Sequence, residues 1–172
     1  MIELPDPCLV VLVGAAGSGK STLAARLFSP EQVLSSDAYR ALVSGDEGDQ
    51  RVTRVAFKIL HRDLERRLHS RLTTVVDATN VTSYARRSLL RRAAAHGIPS
   101  VAIVLDLPPE LVLARNATRR GHIVPLAAVE RQLADLDRSL RRDQLTTEGF
   151  AVVHRLRLPQ DVDHVAVQVG LR

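Results

Sequence analysis

At 172 residues with 45% hydrophobic residues, the chain is long enough to bury the core of one domain and short for two. Its single cysteine, Cys8, excludes an internal disulfide, and no apolar run approaches the roughly 20 residues that cross a bilayer. The net charge of +5 is carried almost wholly by arginine and permits an anionic partner, whereas 3% aromatic residues argue against a base-stacking platform. We therefore expect one domain over residues 1–172, located in the cytoplasm and without a membrane partner.

Apolar, β-branched runs alternate along the chain with segments of helical periodicity. The runs predict strands at 8–13, 32–36, 72–78, 100–106 and 150–156, with a final edge strand at 164–169. The segments predict helices at 20–28, about 51–70, 83–96, 109–119 and 125–142. Repeated strand, helix, strand units with short connections predict an α/β fold in which helices cover both faces of a parallel β-sheet.

The stretch "GAAGSGKST" follows the first long strand and opens the first helix. It matches the phosphate-loop motif G-x-x-x-x-G-K-[ST] in the context that the motif requires. Glycines allow successive backbone N–H groups to converge on phosphate oxygens at the positive end of a helix. The sequence therefore predicts a site for ATP or another nucleoside triphosphate, formed by Gly14, Ala15, Ala16, Gly17, Ser18, Gly19, Lys20, Ser21 and Thr22.

Lys20 and Ser21 have distinct expected roles within this loop. The Lys20 ammonium is expected to reach the β- and γ-phosphates, and the Ser21 hydroxyl to bind Mg²⁺. Asp77 ends the strand predicted at 72–78 and is a second candidate for the metal, because ligands gather beyond the carboxyl ends of parallel strands. The competing interpretation is that Asp77 only closes a turn.

Asp37 follows the strand predicted at 32–36 and has two interpretations. Its carboxylate is suited to accept the proton of an attacking hydroxyl, as a general base does. It is equally suited to cap the short helix that starts at "AYRALV". Two other acids are expected to cap only: Asp49 for the helix at 51–70, and Asp106 ahead of two prolines.

The arginines near these acids also have more than one interpretation. Arg40 lies one helical turn after Asp37, so it is a candidate contact for an anionic substrate group or the partner in an ordinary ion pair. Arg115 and Arg119 are candidates for a mobile lid of about 115–145 that closes over the transferring phosphate, with Arg119 at the nucleotide. A solvated helix face explains Arg138, Arg141 and Arg142 better.

The most uneven charge distribution lies between residues 78 and 105, which contain no acid. One predicted helix there carries four arginines: Arg86, Arg87, Arg91 and Arg92. They are typical either of a surface that follows the phosphates of a nucleic acid or of a solvated helix face.

Taken together, "GAAGSGKST", "VLSSDAYRALVSGDEGDQ", "TTVVDATNVTSYAR" and "ARNATRR" followed by "EGF" resemble, in order and spacing, the kinase domain of bacterial polynucleotide kinase-phosphatases. The similarity covers nearly the whole chain. It implies a P-loop kinase fold with an arginine-bearing helical lid, and transfer of phosphate from ATP to a 5′-hydroxyl end of RNA or DNA.

The resemblance also implies roles for particular residues. Asp37 becomes the general base, Arg40 a contact to substrate phosphate and Arg115 a lid arginine, while Thr79 and Asn80 match the family pattern without a defined role. Phosphatase and ligase domains follow the kinase domain in those enzymes. The chain is therefore expected to be either a stand-alone kinase or a domain of a longer protein that contains them.

Two further classes of function fit the same residues. A small-molecule kinase of this fold, acting on a sugar, nucleoside or antibiotic, would use the same loop, carboxylate and lid. A nucleotide-binding switch without transfer activity would need only the phosphate loop. A small closed pocket beside Asp37 would favour the small-molecule kinase.

Overall fold

The computed structural model describes residues 1–170, apart from the side chain of Arg142, and it shows the predicted alternation of strands and helices. The strands are β1 Ile2–Leu4, β2 Leu9–Val13, β3 Val33–Ser35, β4 Thr74–Asp77, β5 Ser100–Leu105, β6 Val152–Leu156 and β7 Val167–Val169. The helices are α1 Lys20–Leu27, α2 Ser36–Ser44, α3 Thr53–His69, α4 Ser83–Ala95, α5 Pro109–Ala117, α6 Leu126–Ser139, α7 Gln144–Glu148 and α8 Pro159–His164. Short 3₁₀ turns lie at Pro30–Gln32, Gln50–Val52 and Arg141–Asp143.

In the described part of the chain, the main sheet has five parallel strands in the order β3, β4, β2, β5, β6. The central strand β2 is buried along its whole length, as a strand covered on both faces must be. Ser35 is in register with Asp77, so β3 and β4 end at the same level. The predicted α/β fold is confirmed, and the segments that follow β2, β3 and β4 meet at one edge of the sheet.

Alternating side chains of the strands divide the core into two clusters, one on each face of the sheet. Val10 and Leu12 pack with α1 and α5, whereas Val11 and Val13 pack with α3, α4 and α7. Helices therefore cover both faces.

Helix α6 passes over the edge of the sheet from one face to the other. Its Val129 belongs to the core cluster of α1 and α5, and its Leu136 to the cluster of α3 and α4. Between them, Gln132 accepts a hydrogen bond from the backbone N–H of Ala16, just beyond the carboxyl end of β2. α6 is thus the helical part of the predicted lid.

The last predicted strand pairs differently from the expectation. Val167–Val169 runs parallel to Ile2–Leu4 in a separate two-stranded sheet and is not an edge strand of the main sheet. The sequence did not predict β1, whose Ile2 and Leu4 are buried in the core. This buried strand provides the edge with which β7 pairs. Residue 164, predicted as strand, ends α8 instead.

Helix boundaries shift by a few residues at two predicted helices. α3 begins at Thr53 after a 3₁₀ turn that Asp49 caps through its side chain. The N-cap of α3 itself is Val52, so the capping expected of Asp49 applies to this turn and not to α3. The helix predicted at 125–142 ends at Ser139 and is followed by α7, which the sequence did not predict. Within residues 1–170, no helix combines the length and the apolar character needed to cross a membrane.

Candidate active site

The phosphate loop joins the end of β2 to the start of α1 at the carboxyl edge of the sheet. Gly19 is the N-cap of α1 and has a φ of 98°, a left-handed conformation that favours glycine. A Cβ atom on Gly17 would lie 2.6 Å from the carbonyl oxygen of Val112, so this glycine permits close packing against α5. The loop therefore leads directly into a helix N-terminus, where backbone N–H groups attract anions.

The side chain of Lys20 lies back along the loop that precedes it. Its Nζ donates to the carbonyl oxygen of Ala15 at 2.9 Å and to Oγ of Ser18 at 3.5 Å. Burial lowers the pKa of Lys20 to about 8, although the carboxylates of Asp77 and Asp37 act in the opposite direction. An ammonium that is poorly compensated by protein groups is well suited to bind a phosphate.

Ser21 and Asp77 lie together beside Lys20. Burial raises the pKa of Asp77, an effect that the neighbouring Ser21 hydroxyl and the Lys20 charge reduce. A hydroxyl and a buried carboxylate are oxygen ligands of the kind that Mg²⁺ prefers. In residues 1–170, no group of three or more His, Cys, Asp or Glu side chains could hold a metal. The pair fits Mg²⁺ if phosphate oxygens and water complete the coordination.

Asp37 lies in the first turn of α2, and it is not the cap of that helix. The N-cap is Ser35, whose Oγ accepts from the backbone N–H of Ala38, so the capping interpretation of Asp37 is wrong. The Asp37 carboxylate instead forms ion pairs with Arg40 and, at 3.5 Å, with Arg119. These contacts leave lone pairs on both carboxylate oxygens for a further donor.

Arg40 is largely buried and holds two parts of the site together. It forms the i,i+3 ion pair with Asp37, and its Nε donates to the carbonyl oxygen of Glu47 at 2.6 Å. The ordinary ion pair that the sequence suggested is therefore present. It places a guanidinium next to the candidate base, so a contact to an anionic substrate remains compatible with it.

The two arginines predicted for the lid contact different parts of the site. Nη1 of Arg115 lies 3.8 Å from the position that a Cβ atom on Gly19 would occupy. Arg119 follows α5 and contacts Asp37. Both line the cleft, so the structure brings the predicted donor and acceptor residues into one site.

The lid segment is attached to the rest of the site by contacts that carry no local sequence pattern. The Asn116 side chain exchanges two hydrogen bonds with the backbone of Val124, and Gln132 binds the backbone of Ala16. A Cβ atom on Gly48 would lie 2.5 Å from Nδ1 of His122, so the lid loop contacts the loop after α2. Sequence reasoning missed these residues because each acts through a distant backbone.

One cleft of about 800 Å³ is lined by residues of the phosphate loop, by Asp77 and by Arg115 and Arg119. At one end it is lined by Asp37, Arg40, Gln50, Thr53 and Phe57. Ala128, Gln132, Val162 and Asp163 also line it. The phosphate loop lies in the same lining, so a nucleotide and a second substrate have room to meet there.

The four arginines of α4 do not form one surface. Arg86 is wholly buried and forms a bidentate ion pair with Glu148, so it belongs to neither predicted surface. Arg92 pairs with Glu65 at 3.5 Å. Arg87 and Arg91 are exposed and line a groove of about 390 Å³ with Gly149 and parts of α4. Helical spacing alone grouped side chains that packing separates.

Two predictions away from the cleft have opposite outcomes. Asp106 forms an ion pair with Arg155 at 2.6 Å, and Pro108 is the N-cap of α5, so the expected capping role of Asp106 is wrong. Arg138 and Arg141 are exposed and pair with acids of their own helical turns, as a solvated face requires.

A profile of the family described as an AAA domain matches residues 9–141. The chain belongs to this AAA domain family. Its phosphate loop and its parallel sheet flanked by helices are those of a P-loop kinase domain, which implies nucleotide binding, typically with Mg²⁺. No curated protein matches the chain in a sequence comparison.

Solved structures with this fold act in different settings. A chain of the Pnkp1/Rnl/Hen1 RNA repair complex matches with a TM-score of 0.67 and 24% identity, over 79% of this chain and 46% of that chain. A gluconokinase from Sinorhizobium meliloti 1021 matches with a TM-score of 0.55 and 19% identity, over 94% and 89%. Chaetomium thermophilum Kti12 in complex with ADP-AlF3 matches with a TM-score of 0.64 and 18% identity, over 91% and 94%. The chain spans about half the length of the RNA repair protein that it matches. At these identities the likeness establishes the fold.

Proposed function

We propose that the chain is an ATP-dependent polynucleotide kinase, which transfers the γ-phosphate of ATP to a 5′-hydroxyl end of RNA or DNA. The observation that carries the proposal is the pair of Asp37 and Arg40 in the cleft that the phosphate loop lines. A carboxylate that can accept a hydroxyl proton and a guanidinium that can bind a phosphate stand side by side.

The donor half of the site is assigned to the phosphate loop and its neighbours. Lys20 would bind the β- and γ-phosphates, with Arg115 and Arg119 closing on them from the lid. Ser21 and Asp77 would hold Mg²⁺, which neutralises phosphate charge and aligns the phosphate oxygens when bound. These side chains position the γ-phosphate and stabilise the charge that develops on it.

In the transfer step, the acceptor hydroxyl oxygen attacks the γ-phosphorus and its proton passes to a carboxylate oxygen of Asp37. The new oxygen–phosphorus bond forms as the bond from the γ-phosphorus to the β-phosphate oxygen breaks, and ADP leaves with that electron pair. Arg40 would hold a phosphate of the acceptor strand near its 5′ end. Arg119 would leave Asp37 for the donor phosphates during closure, since one guanidinium serves one position at a time.

The polynucleotide acceptor rests on residues beyond the phosphate loop. The segments around Asp37, Arg40 and Asp77 resemble bacterial polynucleotide kinase-phosphatases, and a protein of the Pnkp1/Rnl/Hen1 RNA repair complex shares the fold. The proposal therefore includes a role in nucleic-acid repair in the cytoplasm. It also includes phosphatase and ligase domains, in a longer parent protein, as partners.

A small-molecule kinase is the second candidate, and one contact favours it. The lid loop at His122 and the loop at Gly48 touch each other, and Gly121 lies close to Glu47, which narrows access to the cleft from that side. The gluconokinase match over nearly the full length of both chains shows that this fold also serves a sugar acceptor.

The test is transfer of radiolabel from γ-labelled ATP to 5′-hydroxyl RNA and DNA oligonucleotides, beside a panel of sugars, gluconate and nucleosides. Lys20→Ala is the matched negative control, because it removes the phosphate contact at the start of a helix. We expect label on oligonucleotides with the parent protein and none with the variant.

Label on a sugar or nucleoside alone would replace the proposal with the second candidate. Nucleotide binding without transfer to any hydroxyl would leave a nucleotide-dependent switch. Equal transfer by Lys20→Ala and the parent would contradict the whole assignment of the donor site.

A further inference from the structure

Arg86 of α4 is a buried charge that lies outside the cleft. Its guanidinium donates to both oxygens of the Glu148 carboxylate, at 2.7 Å each. It also donates to the carbonyl oxygen of Asn80 at 2.8 Å and to Oγ of Ser139 at 3.1 Å. One planar group thus joins α4, α7, the end of α6 and the loop after β4.

The first of these connections leads to the metal side of the site. Asn80 follows β4 with a φ of 48°, and its side chain donates to the carbonyl oxygen of Leu12 at 2.9 Å. The carbonyl oxygen of its neighbour Thr79 accepts from the N–H of Gly14 at 2.9 Å. The loop that begins at Asp77 is therefore held against the start of the phosphate loop, and Arg86 holds its far end.

The second connection leads to the lid. Ser139 Oγ donates to the carbonyl oxygen of Val81 at 2.6 Å while it accepts from Arg86, so the last turn of α6 is fixed to the same loop. Seven residues earlier on α6, Gln132 binds the backbone of Ala16. Arg86 therefore contacts both structures that border the phosphate loop.

A contribution to stability is a weak explanation for a buried ion pair between Arg86 and Glu148. Taking charged groups out of water is unfavourable, and apolar residues of similar volume often stabilise a fold as well or better. A planar fork with fixed hydrogen-bond directions instead defines relative positions, which an apolar contact does less sharply.

We infer that Arg86 and Glu148 form a positioning pair that holds the Asp77–Asn80 loop and the end of α6 in the geometry needed to bind a metal–nucleotide complex. The inference rests on the donor half of the proposed function and does not depend on the acceptor. Substitution of a group that orients metal ligands without binding the metal itself typically lowers metal affinity or activity by about 10- to 100-fold.

Two variants test the pair. Arg86→Lys keeps the charge and loses the planar fork, and Glu148→Gln keeps the size and loses the charge. Arg87→Lys is the matched control on the same helix, because Arg87 is exposed. Leu68→Ala, in the core near the end of α3, is the control for lost stability alone.

The main measurement is the dissociation constant of Mn²⁺ from the protein–ADP complex, read from the electron paramagnetic resonance signal of free Mn²⁺, with melting temperatures measured alongside. We expect Arg86→Lys and Glu148→Gln to raise this constant by about 10-fold or more, at temperatures where both are folded. Arg87→Lys and Leu68→Ala should leave it within about 2-fold of the parent, inside the ordinary scatter of such effects.

Melting temperatures that fall as in Leu68→Ala, with Mn²⁺ affinity unchanged, would overturn the inference and leave a structural role. If neither variant folds, Ser139→Ala carries the test, because it removes the hydrogen bond from Arg86 and the one to Val81 while it leaves the buried ion pair intact. The expected weakening is about 5-fold, and no change is the contrary result. A parent protein that binds Mn²⁺ and ADP but phosphorylates no oligonucleotide would overturn the proposed function while leaving this measurement valid.

Discussion

Asp37 is the residue on which the proposed chemistry depends, and its surroundings separate two roles that the sequence left open. Ser35 caps α2, so the helix does not require a carboxylate at position 37. Arg40 and Arg119 hold that carboxylate in the cleft from two sides. A side chain with no capping task and two charged partners is free to act on a substrate hydroxyl.

Asp37→Asn should lower kcat for phosphate transfer by at least about 10²-fold, because an amide cannot accept the proton. The affinity for ADP and the melting temperature should stay close to those of the parent, since the carboxylate is partly exposed and its ion pairs contribute little stability. The measurement is kcat for Asp37→Asn beside its melting curve.

Ser35→Ala is the matched control for this prediction, because it removes the true cap of the same helix. It should lower the free energy of unfolding by about 0.5 to 1 kcal/mol and leave kcat within a few-fold of the parent. Near-normal kcat in Asp37→Asn would move the search for the base to Asp77.

Lys20 carries a prediction on pH, because burial lowers the pKa of its ammonium to about 8 in the protein without nucleotide. The ammonium form is the one that binds phosphate, and a bound phosphate raises the pKa again. Above pH 8 the free protein must therefore take up a proton when it binds ADP. We expect the affinity for ADP to be constant near pH 7 and to fall by up to about 10-fold for each unit above about pH 8.

The measurement is ADP binding by calorimetry from about pH 7 to about pH 9, together with the number of protons taken up. Lys20→Arg is the control, since a guanidinium remains charged throughout this range and should give an affinity that does not change with pH. A flat profile in the parent would show that Lys20 does not titrate on binding.

The segment predicted as a lid contains helix α6 and the loop between α5 and α6. Asn116 at the end of α5 clamps the loop through both hydrogen bonds to Val124, at 2.8 and 3.2 Å. Its own side chain is buried, so water does not easily replace those bonds. The segment between Asn116 and Val124 contains Arg119 and Arg120, and trypsin cleaves after arginine.

Asn116→Ala should speed tryptic cleavage after Arg119 or Arg120 by about 10-fold, because two hydrogen bonds of about 1 kcal/mol no longer oppose local opening. Thr118→Ala is the control, since the Thr118 hydroxyl binds only its own helical turn. ADP should protect the parent more than Asn116→Ala. Equal cleavage rates in both variants would mean that other contacts hold the lid.

For the whole molecule, the arrangement of charge decides which partners the surface can attract. The net charge of +5 is spread over many arginines, but Arg86, Arg92, Arg138 and Arg141 already have acidic partners. Arg87 and Arg91 remain exposed one helical turn apart and line the same groove. They are the part of the predicted phosphate-following surface that packing leaves available.

The double change of Arg87 and Arg91 to Gln should reduce the salt dependence of the apparent KM for an oligonucleotide. Each lost phosphate contact on a single strand lowers the slope of log affinity against log salt by about 0.7, so two contacts give about 1.4. Changing Arg138 and Arg141 to Gln should not alter the slope, because both are paired with acids of α6. No difference between these double variants would assign Arg87 and Arg91 to a solvated face.

Local pattern accounts for the architecture of this protein and for the groups in its cleft. Buried strands are recognisable in the sequence as continuous apolar runs. The glycines of the phosphate loop are recognisable as a motif that follows such a run. Both signals are local, because they depend only on neighbours in the chain. The carboxyl ends of parallel strands meet at one edge, so the proximity of Asp37 to the phosphate loop also followed from the sequence. The capping of the 3₁₀ turn before α3 by Asp49 was equally local.

Only the tertiary structure decided which polar residues face solvent and which hold distant segments together. Arg86 lies on the apolar face of α4, together with Leu89 and Ala93. Its charge had grouped it in the sequence analysis with the other arginines of the helix. Only the packed structure shows that it is buried and paired with Glu148. Asp106 forms an ion pair with Arg155 of the neighbouring strand β6, and β7 pairs with β1, which lies far from it in sequence. Such partners are separated by tens of residues, and their pairing energy depends on burial and direction, which no local window of sequence contains.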